Sequence, residues 1–182
     1  MRVIAGSARG VELKHPHGVT RPTSSRLRES LFGMLEAADL DWSSVLDLYA
    51  GSGALGIEAL SRGAGRCVFV ESDRRACAVI RDNLRLTIFE KASTVVTSSV
   101  ERWQPAAGER FTLVLADPPY DDAEAWHAIE QAVADTLAEC AAIVVEHSVR
   151  TTAPESLAGR PLWRDRRQGD GAVAIYRAEE DA

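Results

Sequence analysis

Val45-Leu46-Asp47-Leu48-Tyr49-Ala50-Gly51-Ser52-Gly53-Ala54-Leu55-Gly56 passes from an apolar run straight into three glycines. The run reads as a buried strand, and the pattern from Leu55 to Arg62 as a helix. Gly51, Gly53 and Gly56 fit G-x-G-x-x-G in the strand–turn–helix setting that gives this spacing its meaning. Working outward, strands are expected at Cys67–Val70, Thr94–Val96, Phe111–Ala116 and Ala142–Val145. Helices are expected from Asp73 to Leu86, where Ala76, Val79, Ile80 and Leu84 fall in period, and from Glu124 to Leu137. Leu162–Arg164 and Ala172–Tyr176 close the chain as an antiparallel pair. Strand–helix alternation of this kind builds a mostly parallel sheet covered on both faces. The expectation is therefore an α/β, Rossmann-like fold with seven strands in its sheet.

Two regions follow from this pattern, an amino-terminal extension over 1–43 and the α/β body over 44–182. Residues 2–14 suggest a short hairpin turning through Gly10. A helix follows, with Thr23 or Ser24 as its cap, and Leu27, Leu31, Met34, Leu35 and Ala38 share its inner face, opposite Arg26 and Ser30. The net charge is −6, which argues against a polyanion partner when taken alone. The distribution changes that. Residues 1–35 carry Arg2, Arg9, Lys14, Arg21, Arg26 and Arg28 against Glu12 and Glu29, a net of +4, so the remainder carries −10. A basic element on an acidic body can still grip phosphates locally. Arg160, Arg164, Arg166 and Arg167 form a second cluster, offset by Asp165. No apolar stretch approaches the roughly 20 residues that span a bilayer. No secretory leader is visible at Met1–Gly6, and Cys67, Cys77 and Cys140 lack metal-ligand spacing. They read as reduced core thiols of a cytoplasmic, monomeric protein with no membrane partner and no metal.

Asp117-Pro118-Pro119-Tyr120 follows directly on the strand ending at Ala116. Two prolines fix their own φ and donate nothing to a ladder, so the chain turns a rigid corner there. The corner presents a carboxylate, carbonyl acceptors and an aromatic ring at the carboxyl edge of the sheet, where ligands of open α/β sheets bind. These groups suit a planar base bearing an exocyclic amine. Asp117 and the Pro118 carbonyl would accept its N–H groups, Pro119 would keep the turn stiff, and Tyr120 would stack on the ring.

The glycine loop admits two cofactors. A nicotinamide dehydrogenase would place a pyrophosphate on it, and an S-adenosylmethionine enzyme the amino-acid part of its ligand. Asp47 lies four residues ahead of Gly51, where it would crowd a pyrophosphate but can brace the loop or meet an ammonium. Glu71 closes the next strand, twenty residues after Gly51, where a carboxylate can bind a ribose diol. The proline corner has no place in hydride transfer. The balance favours S-adenosylmethionine.

At this point the chain resembles the bacterial small-subunit ribosomal RNA guanine-N2-methyltransferases, which modify guanine 966 of 16S rRNA. The similarity runs through Arg2-Val3-Ile4-Ala5-Gly6, Arg21-Pro22-Thr23 with Arg26, Arg28, Glu29, Leu31 and Phe32, Ala50–Gly56, Glu58–Arg62 and Asp117–Tyr120. The resemblance implies a class I methyltransferase fold. It implies S-adenosyl-L-methionine as cofactor and S-adenosyl-L-homocysteine as product. The cofactor site it implies comprises Thr23, Asp47, Tyr49, Ala50, Gly51, Ser52, Gly53, Leu55, Glu71, Ser72, Ser99 and Val100. Asp117, Pro118, Pro119 and Tyr120 become the catalytic group, and Arg2, Arg9, Lys14, Arg21, Arg26 and Arg28 the RNA contacts. The implied substrate is 16S rRNA in an assembled or partly assembled small subunit, with ribosomal proteins nearby. One departure is Ser98-Ser99-Val100, where such enzymes carry Asp or Asn against the cofactor adenine. Competing readings are a DNA adenine-N6 methyltransferase, a protein glutamine methyltransferase, a non-catalytic S-adenosylmethionine- or RNA-binding module and a nicotinamide oxidoreductase. Only about 44 residues precede the body, little for reading a DNA sequence, and Asn usually replaces Asp117 in the glutamine enzymes.

Overall fold

The computed structural model describes residues 1–16, 25–120 and 122–178. After helix α1 (Ser25–Ala37), the chain alternates β1 (Ser44–Leu48), α2 (Ala54–Ser61), β2 (Arg66–Glu71), α3 (Arg74–Thr87), β3 (Ser93–Thr97), β4 (Phe111–Ala116), α4 (Ala125–Val133) and β5 (Leu137–Ser148). It ends with β6 (Ser156–Leu157), β7 (Arg160–Gln168) and β8 (Gly171–Arg177). The sheet order is β3-β2-β1-β4-β5-β8-β7-β6. The first five strands in that order run parallel, β8 runs antiparallel to β5, and β7 runs antiparallel to β8. The order reverses direction between β1 and β4, so a crevice opens at the carboxyl ends of those two strands.

Strand alternation divides the core. Val45, Phe69, Leu113 and Val144 pack on one face with α1, α2 and α3. Leu46, Leu48, Val114 and Val145 pack on the other with α4 and Trp103. The amino-terminal segment joins the first layer through Val3, Ala8 and Leu13. No helix among the described residues is long and apolar enough to cross a membrane.

Three expectations need correction. The sheet has eight strands rather than seven, the additional one being the two-residue β6 at the edge. Helix α4 stops at Val133, and Leu137 opens β5. Ile129, Val133 and Leu137 keep a helical spacing that runs past the true end. The Phe111 N–H donates to the Thr136 carbonyl at 2.7 Å and draws the chain into the sheet. Residues 2–14 form a short hairpin: Arg2 and Glu12 bridge antiparallel, and the N–H groups of Val3 and Leu13 donate to the Val11 and Met1 carbonyls at 3.0 and 2.7 Å. Its backbone is also held from α2: Glu58 accepts from the N–H groups of Ile4 and Ala5, at 2.8 and 3.0 Å. Finally, Cys140 is exposed, whereas Cys67 and Cys77 lie in the core.

Candidate active site

The loop between β1 and α2 is held by two carboxylates. Asp47 is 1% exposed, on the same face of β1 as Val45, and its Oδ2 accepts the Gly56 N–H at 2.9 Å. Glu71 Oε2 accepts the Gly51 N–H at 2.8 Å, and its Oε1 accepts the Asp73 N–H at 2.8 Å and the Ser72 hydroxyl at 3.3 Å. Tyr49, Gly51 and Gly53 all have positive φ, at 55°, 55° and 78°. For a tyrosine that region is strained. Gly56 serves packing: a Cβ there would meet Phe69 Cε1 at 2.4 Å and Cys67 Sγ at 2.7 Å. Ala50 and Leu55 are buried, and Ser52 is half-buried. The Tyr49 hydroxyl is buried with no hydrogen-bond partner among the described residues. Burial, reinforced by the charges of Asp122 and Glu101, raises its pKa.

Leu48 pairs with Ala116, so the glycine loop and the proline corner leave neighbouring strands side by side. The Asp117 N–H makes a long 3.5 Å contact to the Leu48 carbonyl. Pro118 is buried, while Pro119 and Tyr120 are exposed. The Tyr120 hydroxyl donates to Glu146 Oε1 at 2.9 Å.

Burial is the main cause that pushes the Asp47 carboxyl well above the ordinary range. The Gly56 N–H opposes this, and the negative charges of Asp117 and Glu71 add to it. Glu71, at the end of β2, and Asp117, just past the end of β4, therefore bring negative charge to the crevice beside Asp47. That field repels a pyrophosphate and favours a cation. S-adenosylmethionine carries a sulfonium and an ammonium, and no phosphate. The charge, the left-handed loop and the orphaned Tyr49 hydroxyl all fit such a ligand.

Beyond the carboxyl ends of β2 and β3, Ser72 is exposed, Val100 is buried, and the Ser99 hydroxyl is engaged with Glu101, whose pKa that bond lowers. Arg21 and Thr23 lie outside the described residues. Arg9 and Arg26 are exposed; Arg2 approaches Glu12 at 3.9 Å, and Lys14 Nζ donates to Asp82 at 2.9 Å. Arg28 does not reach solvent at all. Its Nη2 donates to the Arg2 carbonyl at 2.6 Å, its Nη1 to Met1 Sδ, and its Nε lies 4.0 Å from Glu58 Oε2. Arg28 lines up with Leu31, Phe32 and Leu35 on the buried face of α1, so an RNA contact there is corrected to an internal tether.

Asn83 was not singled out by sequence, yet it ties the extension to the loop. Its Oδ1 accepts the Lys14 N–H at 2.8 Å, and its Nδ2 donates to the Lys14 carbonyl at 3.1 Å and the Ser52 carbonyl at 2.9 Å. A polar residue at the inner-face position between Ile80 and Leu84 was the available signal.

The central crevice, glycine loop, ribose-type carboxylate and acceptor corner define a class I S-adenosylmethionine-dependent methyltransferase. A family model described as "Conserved hypothetical protein 95" matches residues 1–177, and the chain belongs to that family, the one containing ribosomal RNA small subunit methyltransferase D. YlbH of Bacillus subtilis, provisionally named an rRNA methyltransferase, is 38% identical over 97% of this chain and 98% of its own. Ribosomal RNA small subunit methyltransferase D of Escherichia coli K12 is 34% identical over 98% of this chain and 90% of its own. An RNA methyltransferase of Salinibacter ruber, solved with S-adenosyl-L-homocysteine, shares the fold at TM-score 0.64 and 19% identity, covering 89% of this chain and 97% of that one.

Proposed function

We propose that this protein methylates the exocyclic N2 amine of a guanine in 16S rRNA, on an assembled or partly assembled small subunit in the cytoplasm. The carrying observation is the register Leu48 to Ala116, which sets the glycine loop beside Asp117-Pro118-Pro119-Tyr120. The names of the relatives support an rRNA substrate of the small subunit. The acceptor corner supports an amine as the methylated group.

Gly51, Gly53 and the α2 amino terminus would receive the amino-acid part of the cofactor, and Glu71 the ribose diol. Tyr49, Ala50, Ser52, Leu55, Ser72, Ser99 and Val100 would line its remaining surface, and Asp47 would hold the loop from beneath through Gly56. Bound S-adenosylmethionine supplies an electrophilic methyl group. The chain supplies geometry and charge. Guanine N2 is a weak nucleophile because its lone pair is delocalised into the ring. Hydrogen bonds from its two N–H groups to Asp117 and the Pro118 carbonyl would turn that lone pair out of plane. Nitrogen would gain the methyl carbon as the carbon–sulfur bond breaks, and the surplus proton would then pass from nitrogen through Asp117 to water. Asp117 stabilises the positive charge on nitrogen during transfer. Holding the amine in line with the methyl supplies the rest. Tyr120 stacks on the extruded base, worth about 1–3 kcal/mol. Arg2, Arg9, Lys14, Arg21 and Arg26 would contact phosphates.

The test is incubation with labelled S-adenosylmethionine and small-subunit particles from a strain lacking the enzyme, followed by nucleoside mass spectrometry. N2-methylguanosine at one site is the expected product. Label in adenosine, in DNA or in protein would overturn the reading.

A further inference from the structure

Glu146 ends the run of β5 that lies beside Asp117. Ala116 pairs with Val145, so the residues that follow are neighbours, Asp117 just past the end of β4 and Glu146 on the adjacent parallel strand β5. Such strands lie about 4.8 Å apart. Glu146 is 7% exposed, and its Oε1 holds the Tyr120 hydroxyl at 2.9 Å. The floor beneath is tight: a Cβ on Gly171 would lie 2.8 Å from the Tyr120 hydroxyl and 3.6 Å from Glu146 Oε1. A largely buried carboxylate thus sits beside the catalytic one, joined to the ring on which the base would stack.

Guanine presents N1–H immediately beside its N2 amine on one edge. Adenine and 2-aminopurine present an N1 lone pair there. With about four lone-pair directions, a carboxylate can hold Tyr120 and still accept from a ligand. We propose that Glu146 accepts the guanine N1–H and is the residue that selects guanine over purines lacking that proton. This rests on the reading of guanine N2 as the target. Asp117 would take the amine and Glu146 the neighbouring ring N–H, so two adjacent strand ends grip one base edge. A base with an unprotonated N1 would set its lone pair against the carboxylate. Sites built around a hydrogen bond reject such analogues strongly because a buried polar group is left unpaired.

The experiment uses reconstituted small-subunit particles whose 16S rRNA carries either guanine or 2-aminopurine at the methylated position. Both bases have an N2 amine. The wild-type enzyme is expected to favour guanine by at least roughly ten-fold in kcat/KM. Glu146→Gln, whose amide can donate to an unprotonated N1, is expected to lose activity on guanine and narrow that preference by roughly ten-fold. If Glu146 only steadied Tyr120, both substrates would fall together; an unchanged ratio overturns the proposal. A wild-type ratio near one overturns it without any variant, should Glu146→Gln fail to fold. Failure of the wild-type enzyme to form N2-methylguanosine on the guanine particle would instead remove the underlying reading.

Discussion

Asn83→Ala removes a side chain that bonds both the amino-terminal extension and the glycine loop. Asn83 is fully buried and makes three bonds, two to the Lys14 backbone and one to the Ser52 carbonyl. At about 0.5–1.5 kcal/mol each, the loss comes to roughly 2–4 kcal/mol. For a chain of this size that lowers the thermal midpoint by roughly 5–15 °C. Freeing the Ser52 carbonyl also loosens the loop, and S-adenosylmethionine affinity should fall about three- to ten-fold. Urea unfolding measures the first effect and titration calorimetry the second. Asn83→Asp separates bonding from packing. It keeps the shape and the acceptor for Lys14 N–H, yet turns a carboxylate toward two carbonyls. It should be at least as damaging as alanine at neutral pH. Unchanged stability and affinity in Asn83→Ala, or a benign Asn83→Asp, would refute the coupling.

Asp117→Ala should abolish methyl transfer in a single-turnover assay while leaving calorimetric cofactor affinity within a few-fold. Arg28→Met should cost about 1–3 kcal/mol in unfolding and leave the salt dependence of RNA binding unchanged, because Arg28 is buried. Arg26→Glu should do the reverse, weakening RNA binding and flattening its salt slope with no change in thermal midpoint, since Arg26 is exposed. The raised pKa of Asp47 means the native state binds a proton more tightly than the unfolded chain. Its contribution is fully present below the ordinary aspartate pKa and is lost as pH rises through the folded value. Stability measured by urea at several pH values should therefore fall across that interval, and Asp47→Asn should flatten the decline.

The α/β alternation and the crevice were legible because fully apolar strands and the glycine turn carry their own signals. Val45–Leu48 and Phe111–Ala116 read as buried strands, and the prolines at 118 and 119 end β4 unaided. The positions of Asp47, Glu71 and Asp117 beside the crevice were readable because each stands at or near the carboxyl end of a strand. Arg28 was misjudged because charge normally marks a surface, and nothing local shows that Met1 and the Arg2 carbonyl fold back over it. Glu58, Asn83 and Glu146 escaped for a related reason. Their partners lie 54, 69 and 26 residues away, so their roles exist only after the chain closes. The end of α4 failed differently: its apolar spacing persists to Leu137, and only pairing with β4 decides the boundary.

A crystal structure with S-adenosyl-L-homocysteine bound tests the central claim most directly. The sulfur should point at the Asp117 carboxylate and Pro118 carbonyl. A methyl placed on it would then lie about 3–3.5 Å from an amine held by those two acceptors. A homocysteine sulfur facing away from the proline corner, or a ligand seated elsewhere than the β1–β4 crevice, would contradict the account.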